Sequence, residues 1–248
     1  RHVVKARYDN NRITTNSIEP RGAIAQYDAG TDTYTLYTSN QNPHGERETL
    51  AAEIFKIDDA RIRVICPDVG GGFGMKGGTY PEDILVVWAA KVLGRTVKWI
   101  GERTESLASD AHARDAIIDI EAAFDADHRI LALRAESIYG LGAYLSPTAA
   151  ISPMFQVTLS SGVYAIPLIR TKTRGIFTNT ISTAPYRGAG RPEAAYMLER
   201  LMDDAARQLG VDALQLRRKN FVKASQMPYQ TALAYRYDCG DFDRVMDK

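Results

Sequence analysis

Cysteine is scarce in these 248 residues: there are two, Cys66 and Cys239, far apart in the chain. That excludes a disulfide framework and fits a reducing compartment, most simply the cytoplasm. Long apolar runs are missing too. No stretch approaches the roughly 20 residues that cross a bilayer, and the opening Arg1-His2-Val3-Val4-Lys5 leads into no apolar signal segment. Neither sign of charge prevails, with 31 basic and 30 acidic side chains and a net charge of +1. Without a basic cluster, a nucleic-acid or anionic-membrane surface has no footing. The four histidines, His2, His44, His112 and His128, are scattered, and with two distant cysteines they make no zinc or iron–sulfur spacing. No protein-ligated metal is expected.

What is present is an ordinary globular composition, 45% hydrophobic and 25% charged, enough to bury one good core or two small ones. The chain starts on Arg1, and its last stretch stops at Lys248 just as Asp241 begins a helix-like pattern. This suggests one piece, 1–248, of a longer chain.

Three segments share a plan: a β-rich run, a polar or glycine-rich loop, then a helix opening on proline, whose missing N–H would have no intrahelical partner there anyway. The first runs from the strand around Tyr34-Leu36 through Thr38-Ser39-Asn40-Gln41-Asn42 to Pro43, with apolar Leu50, Ile54 and Phe55 beyond. The second runs from Arg61–Cys66 through Gly70-Gly71-Gly72-Phe73-Gly74-Met75-Lys76-Gly77-Gly78 to Pro81; its helix carries Ile84, Leu85, Trp88 and Val92 and stops at Gly94. The third runs from Ile176-Phe177 through Ala184-Pro185-Tyr186-Arg187-Gly188-Ala189-Gly190-Arg191 to Pro192. There Ala194, Leu198, Leu201, Met202, Ala205 and Leu209 form one apolar stripe at helical spacing, closed by Gly210. Between the second and third plans, Ile118, Ile120 and Ala122, a turn at Asp125-Ala126-Asp127-His128, and Leu131, Leu133 and Ala135 predict a hairpin. Strands and helices mix without a βαβ rhythm. The expected fold is α+β, mixed β-sheets with packed helices.

The glycine loop admits more than one reading. Gly72-Phe73-Gly74-Met75-Lys76-Gly77 fits G-x-G-x-x-G between a strand and a helix, with Glu102 after the next strand, which is the pattern of a dinucleotide site. Against it, Pro81 starts the helix several residues too late. The glycines also read as a plain turn, although six in nine residues carry a heavy entropic cost for turning alone. Gln41 also reads as a residue satisfying turn amides, Asn42 as a helix cap, and Arg187 and Arg191 as surface charges. The position of Arg187 between Tyr186 and a Gly-Ala-Gly run favours function for it; Arg191 stays open.

One resemblance covers all three loops. Val69-Gly70-Gly71-Gly72-Phe73-Gly74-Met75-Lys76 is similar to the glycine loop of the molybdenum hydroxylases, the family of xanthine dehydrogenase, aldehyde oxidase and aerobic carbon monoxide dehydrogenase. Thr38-Ser39-Asn40-Gln41-Asn42-Pro43-His44 resembles that family's glutamine loop, and Pro185-Tyr186-Arg187-Gly188-Ala189-Gly190-Arg191-Pro192-Glu193-Ala194 its arginine loop. The motifs are co-linear, and the similarity extends from Glu19-Pro20-Arg21-Gly22-Ala23 to Arg217-Arg218-Lys219-Asn220-Phe221. The resemblance implies the first molybdenum-cofactor domain of a large subunit. Its cofactor would be molybdenum-molybdopterin, in the cytosine dinucleotide form, with the metal held by the pterin's dithiolene rather than by protein.

The resemblance also implies roles. Gln41 would hydrogen-bond an oxygen ligand of molybdenum. Phe73 and Gly74 would offer backbone amides, Gly71 and Gly72 would let the main chain approach, and Arg187, with Gly188 beside it, would touch the cofactor or orient substrate. Gly188 stands where copper-dependent carbon monoxide dehydrogenases have cysteine, so carbon monoxide is disfavoured as substrate. Gly77 stands in place of the purine oxidisers' glutamate, and Ala189 in place of their aromatic residue; purines are disfavoured and the pocket is wider at Ala189. Aldehydes or N-heterocycles remain, hydroxylated with oxygen from water. The family's general-base glutamate belongs to a second cofactor domain outside this chain, and Glu46, Glu82 and Glu193, at helix starts, suit the helix dipole instead. Partners implied are that second domain, a medium FAD subunit and a small 2Fe-2S subunit. The alternatives are a cofactor-free scaffold or assembly module and, third, a nicotinamide-dependent dehydrogenase.

Overall fold

The computed structural model describes residues 2–248. Its strands of four residues or more are β1 (His2–Asn10), β2 (Gly22–Asp28), β3 (Thr33–Thr38), β4 (Ile62–Ile65), β5 (Val97–Ile100), β6 (Ala116–Phe124), β7 (Ile130–Gly142) and β8 (Ile169–Phe177). The helices are α1 (Pro43–Glu48), α2 (Pro81–Leu93), α3 (Arg103–Ser109), α4 (Ile151–Thr158), α5 (Arg191–Leu209), α6 (Ala213–Asn220) and α7 (Phe242–Met246). The fold is α+β with mixed sheets, as the sequence implies, and it divides into two compact units, each with its own core.

The first unit comprises Thr14–Ala113 and Ser146–Thr148. Its sheet runs in the order β4-β3-β2-β5. β2 pairs antiparallel with β3 and with β5, whereas β3 and β4 lie parallel, with Leu36 opposite Val64 and Tyr37 opposite Ile65. A parallel pair needs a crossover, and α1, continued by π turns over Thr49–Phe55, supplies it. Of the apolar residues there, Leu50 is buried, Phe55 stacks on Tyr34, and Ile54 is exposed.

α2 packs on this sheet through Val86, Val87 and Ala90 and ends at Gly94, in the left-handed region that suits glycine. Leu85, Trp88 and Val92, read from sequence as part of its apolar content, are exposed instead. The helix is apolar nearly all round, so periodicity singles out no face, and the smaller side chains turn inward against the sheet. Its start is fixed by Arg21, which is buried, pairs with Glu82 (2.7 Å) and Asp110 (2.6 Å), and stacks 3.8 Å over the Tyr80 ring.

The topology also removes the nicotinamide reading. A dinucleotide fold needs the strand after the glycine loop and helix to return parallel beside the first. Here that strand, β5, lies at the opposite edge of the sheet, separated from β4 by β3 and β2, so the adjacent pair that a dinucleotide fold requires is missing.

The second unit comprises the residues up to Ile13, Arg114–Leu145 and Ala149–Lys248. Its sheet has the order β1-β6-β7-β8, with β7 and β8 parallel and the other pairs antiparallel. The hairpin β6–β7 forms with Ile118, Ile120, Ala122, Leu133 and Ala135 buried. Leu131 departs from the expected alternation: a register shift at Ala123/Phe124 turns Ile130 inward and leaves Leu131 exposed. α5 lays Leu198, Leu201, Met202 and Ala205 into this core, with Met197 and Ala206 widening the stripe, and Ala194 is buried near its start. It starts at Arg191, so Pro192 is its second residue.

Candidate functional site

In the first unit the topology itself brings two loops together. β3 and β4 are adjacent and parallel, so the glutamine loop and the glycine loop leave from neighbouring carboxyl ends, where open sheets with parallel strands present ligands. The loops are bonded to each other. The Gln41 amide N–H donates to the Lys76 carbonyl (2.9 Å), and the Gly74 N–H donates to Gln41 Oε1 (2.8 Å). Because Gly74 N–H can only donate, it fixes the orientation of the Gln41 amide and leaves Nε2 as the group available to an outside acceptor. Gln41 and Phe73 are both exposed.

The glycines fall into two classes. Some serve the chain's own packing: a Cβ at Gly72 would lie 2.5 Å from Gln41 Cδ, and one at Gly71, where φ is +97°, 2.8 Å from Phe73 Cε2. Gly77 and Gly78 are different. Neither has a positive φ, and a Cβ on either would meet nothing within 4 Å. Nothing in this chain requires glycine there, which fits a surface that a group from outside approaches closely.

Two features modify the expected roles. Gly74 spends its amide on Gln41 instead of offering it outward, whereas the Gly72 and Phe73 amides have no acceptor among the described residues. Lys76, the last residue of the glycine motif Val69–Lys76, is a buried staple whose Nζ meets Glu19 at 2.8 Å. Burial pushes the Glu19 carboxyl up, but the Lys76 ammonium and the Gly70 N–H outweigh it and hold it below the usual range.

Glu46 is also buried, at 2% exposure. Its Oε2 accepts from Asn40 Nδ2 (3.0 Å) and Thr79 Oγ1 (2.8 Å), and its Oε1 has no partner among the described residues. Burial, reinforced by the nearby Asp83 carboxylate, pushes the Glu46 carboxyl up to about 8. Sequence places this glutamate in the first helical turn, as a dipole partner; nothing in a six-residue helix signals its burial.

The arginine loop lies in the second unit, so Arg187, Gly188 and Ala189 belong to a different compact body from Gln41 and Gly71–Gly74. The loop is a series of left-handed residues, Gly188 (φ +100°), Ala189 (φ +41°) and Gly190 (φ +89°), closed by Ala189 N–H to the Tyr186 carbonyl at 2.7 Å. Gly190 is tightly enclosed: a Cβ would lie 2.4 Å from the Ser152 carbonyl oxygen. Arg187 is exposed, and its guanidinium has no partner among the described residues.

Arg114, which carries no sequence signal, organises this loop from its own left-handed backbone (φ +67°). One guanidinium nitrogen bonds the Arg187 carbonyl (3.0 Å), another pairs with the fully buried Glu193 (2.9 Å), and the group stacks over Tyr186. Arg191 bonds the Gly188 carbonyl (3.3 Å) and stacks over Phe155, which gives it a structural role.

Residues 1–221 match the family model described as molybdopterin cofactor-binding domain. The chain belongs to that family. As a molybdopterin cofactor-binding domain it is 35% identical over 242 residues to the carbon monoxide dehydrogenase large chain of Hydrogenophaga pseudoflava, covering 96% of this chain and 30% of that one. It is 34% identical over 256 residues to the nicotine 6-hydroxylase large subunit of Paenarthrobacter nicotinovorans, covering 99% and 30%. Quinoline 2-oxidoreductase from Pseudomonas putida 86 superposes with a TM-score of 0.94 at 34% identity over 99% of this chain and 31% of that structure. The chain thus spans about three tenths of the length of the curated relatives it matches. No helix among the described residues is long and apolar enough to cross a membrane.

The cofactor fits the donor set. A pterin with phosphates is rich in acceptors, and the glutamine–glycine platform offers Gln41 Nε2, two unspent amides and two glycines with open space above them. Described residues include no cluster of His, Cys, Asp and Glu able to hold a metal ion.

Proposed function

We propose that this domain forms the glutamine–glycine face of a molybdenum-cofactor site in a hydroxylase of nitrogen heterocycles. The observation that carries the reading is the Gly74–Gln41 hydrogen bond, which presents Nε2 as a fixed donor beside glycines that the chain does not need for itself. When bound, the cofactor supplies a redox-active molybdenum centre that takes two electrons from a substrate carbon while water furnishes the oxygen.

Gln41 would donate to an acceptor of that group through Nε2. The Gly72 and Phe73 amides would bind its polar edge, Gly77 and Gly78 would admit it, and the exposed Phe73 ring would cover one side of it. For Arg187, Gly188 and Ala189 the reading rests on their loop's resemblance to the family. The unpaired guanidinium of Arg187 is suited to binding a cofactor oxygen or orienting substrate, and Ala189 leaves room for a ring. Two named relatives, nicotine 6-hydroxylase and quinoline 2-oxidoreductase, are named for nitrogen heterocycles. Gly188 supplies no thiolate that could bind copper, which turns the reading away from carbon monoxide.

The cytosine dinucleotide form of the cofactor, the second cofactor domain with its general-base glutamate, and FAD and 2Fe-2S partners taking the electrons complete the proposal. The test is a substrate panel on the full complex with a dye acceptor in ¹⁸O water. Oxidation of pyridine- or quinoline-type rings with label in the product is expected. Turnover of carbon monoxide alone, or of none of the panel, would reject it.

A further inference from the structure

We infer that Glu46 is the positioning residue for the Gln41 loop, acting through Asn40 and Thr79 as a hydrogen-bonding acid and not as an anion. Its consequence for cofactor retention rests on the cofactor reading above; its effect on the loop does not.

The geometry is a chain of contacts that wraps around Gln41. Glu46 Oε2 accepts from Asn40 Nδ2, Asn40 Oδ1 accepts from the Asn42 N–H (2.5 Å), and Asn42 Oδ1 accepts from the Gly45 N–H (3.2 Å) at the start of α1. Both neighbours of Gln41 in sequence are therefore fixed by one network whose buried end is Glu46. From the other side Thr79, just past the glycine loop, donates to the same oxygen. Asn40 Nδ2 also approaches the Gly78 carbonyl at 3.4 Å. One oxygen thus ties the glutamine loop to the far end of the glycine loop, while the Gln41–Gly74 and Gln41–Lys76 bonds tie the near end.

The surroundings favour the acid form. The carboxyl is buried, no cation pairs with it, and both its donors are neutral. The ionisable groups around it are Asp83 on α2, itself raised by burial, and the Cys66 thiol after β4, raised chiefly by burial too. Arg21 is committed to Glu82 and Asp110. An uncompensated carboxylate here would be costly, whereas a neutral acid accepts both bonds on Oε2 and leaves only the hydroxyl on Oε1 without a partner, which is the smaller penalty. Acting through Asn40 and Thr79, Glu46 touches no reacting atom.

The experiment compares wild type, Glu46→Gln and Glu46→Ala in the full-length large subunit purified from a host that makes the cofactor. It reads pterin content, hydrogen exchange over 40–46 and 76–79, and melting temperature from pH 5 to 8. Gln reproduces a neutral acid, one acceptor and one donor group, so it should keep at least half of the wild-type pterin and leave exchange unchanged. Ala should lose pterin tenfold or more and speed exchange in both segments at least tenfold.

The pH arm has a definite sign. A folded-state value near 8 above an ordinary unfolded one means that stability from this group is complete below the unfolded value and disappears as pH rises through the folded one. The melting temperature of wild type relative to Glu46→Gln should therefore fall from pH 5 to 8. The inference is overturned if Gln behaves like Ala, if the wild-type-minus-Gln difference is flat or rises with pH, or if Ala leaves exchange unchanged. A wild-type protein without pterin rejects the cofactor reading alone, because exchange and melting still judge Glu46.

Discussion

Each compact unit places a glutamate in the first turn of a helix that has proline as its first or second residue, and each glutamate is tied to the loop that precedes its helix. The two are held in opposite ways. Glu193 is fully buried and paired with Arg114, whose guanidinium also holds the Arg187 carbonyl and stacks on Tyr186. Glu46 is as deeply placed but meets only the amide of Asn40 and the hydroxyl of Thr79. Burial cost is offset by a countercharge in one unit and by loss of charge in the other. Loop architecture therefore does not dictate electrostatics; the neighbour that happens to reach the carboxyl does.

The largest expected effect follows from that contrast. Arg114→Met leaves Glu193 as an uncompensated buried charge and removes the donor to the Arg187 carbonyl, at a cost of about 3–5 kcal/mol, whereas Glu46→Gln at pH 7 should cost under about 1 kcal/mol. Urea denaturation of the two variants measures this. Equal losses would break the comparison.

Glycines sharpen it next. Gly190→Ala forces a Cβ to within 2.4 Å of the Ser152 oxygen at φ +89° and should destabilise by about 2–4 kcal/mol. In Gly77→Ala the added Cβ meets nothing, so thermal unfolding should be unchanged or improved by up to about 1 kcal/mol, while pterin content of the full-length subunit falls. A stable Gly190→Ala protein, or a Gly77→Ala protein with full pterin, would contradict the division of the glycines into two classes. The smallest effect is on α2: Trp88→Gln, on its exposed face, should change melting stability by no more than about 0.5 kcal/mol. A larger loss would mean that this face is covered.

What was legible in the sequence follows the same physics. The α5 stripe of Leu198, Leu201 and Met202 was readable because one face is apolar and the other charged, and the hairpin was readable from alternation up to the register shift that displaces Leu131. The three loops were readable because glycine and proline mark backbone requirements. The inward face of α2 was not, since Leu85, Val86, Val87 and Trp88 are all apolar and only the sheet decides which turn in. Nor were the roles of Lys76, Glu46 and Arg114. Each is a charged or ionisable side chain whose burial depends on a partner distant in sequence, with Lys76 57 positions along the chain from Glu19 and Glu193 79 positions from Arg114. Of the catalytic candidates, Gln41 and the glycine loop meet in one unit through the parallel pairing of β3 and β4, a relation that no local motif encodes.

Molybdenum and pterin per full-length subunit, in wild type beside Gln41→Ala, test the central claim most directly. The account predicts near-stoichiometric content in wild type and a loss of roughly tenfold after dialysis in the variant, as expected for one lost hydrogen bond to a polar group. Wild-type protein without molybdenum or pterin, or a variant that keeps both in full, would contradict it.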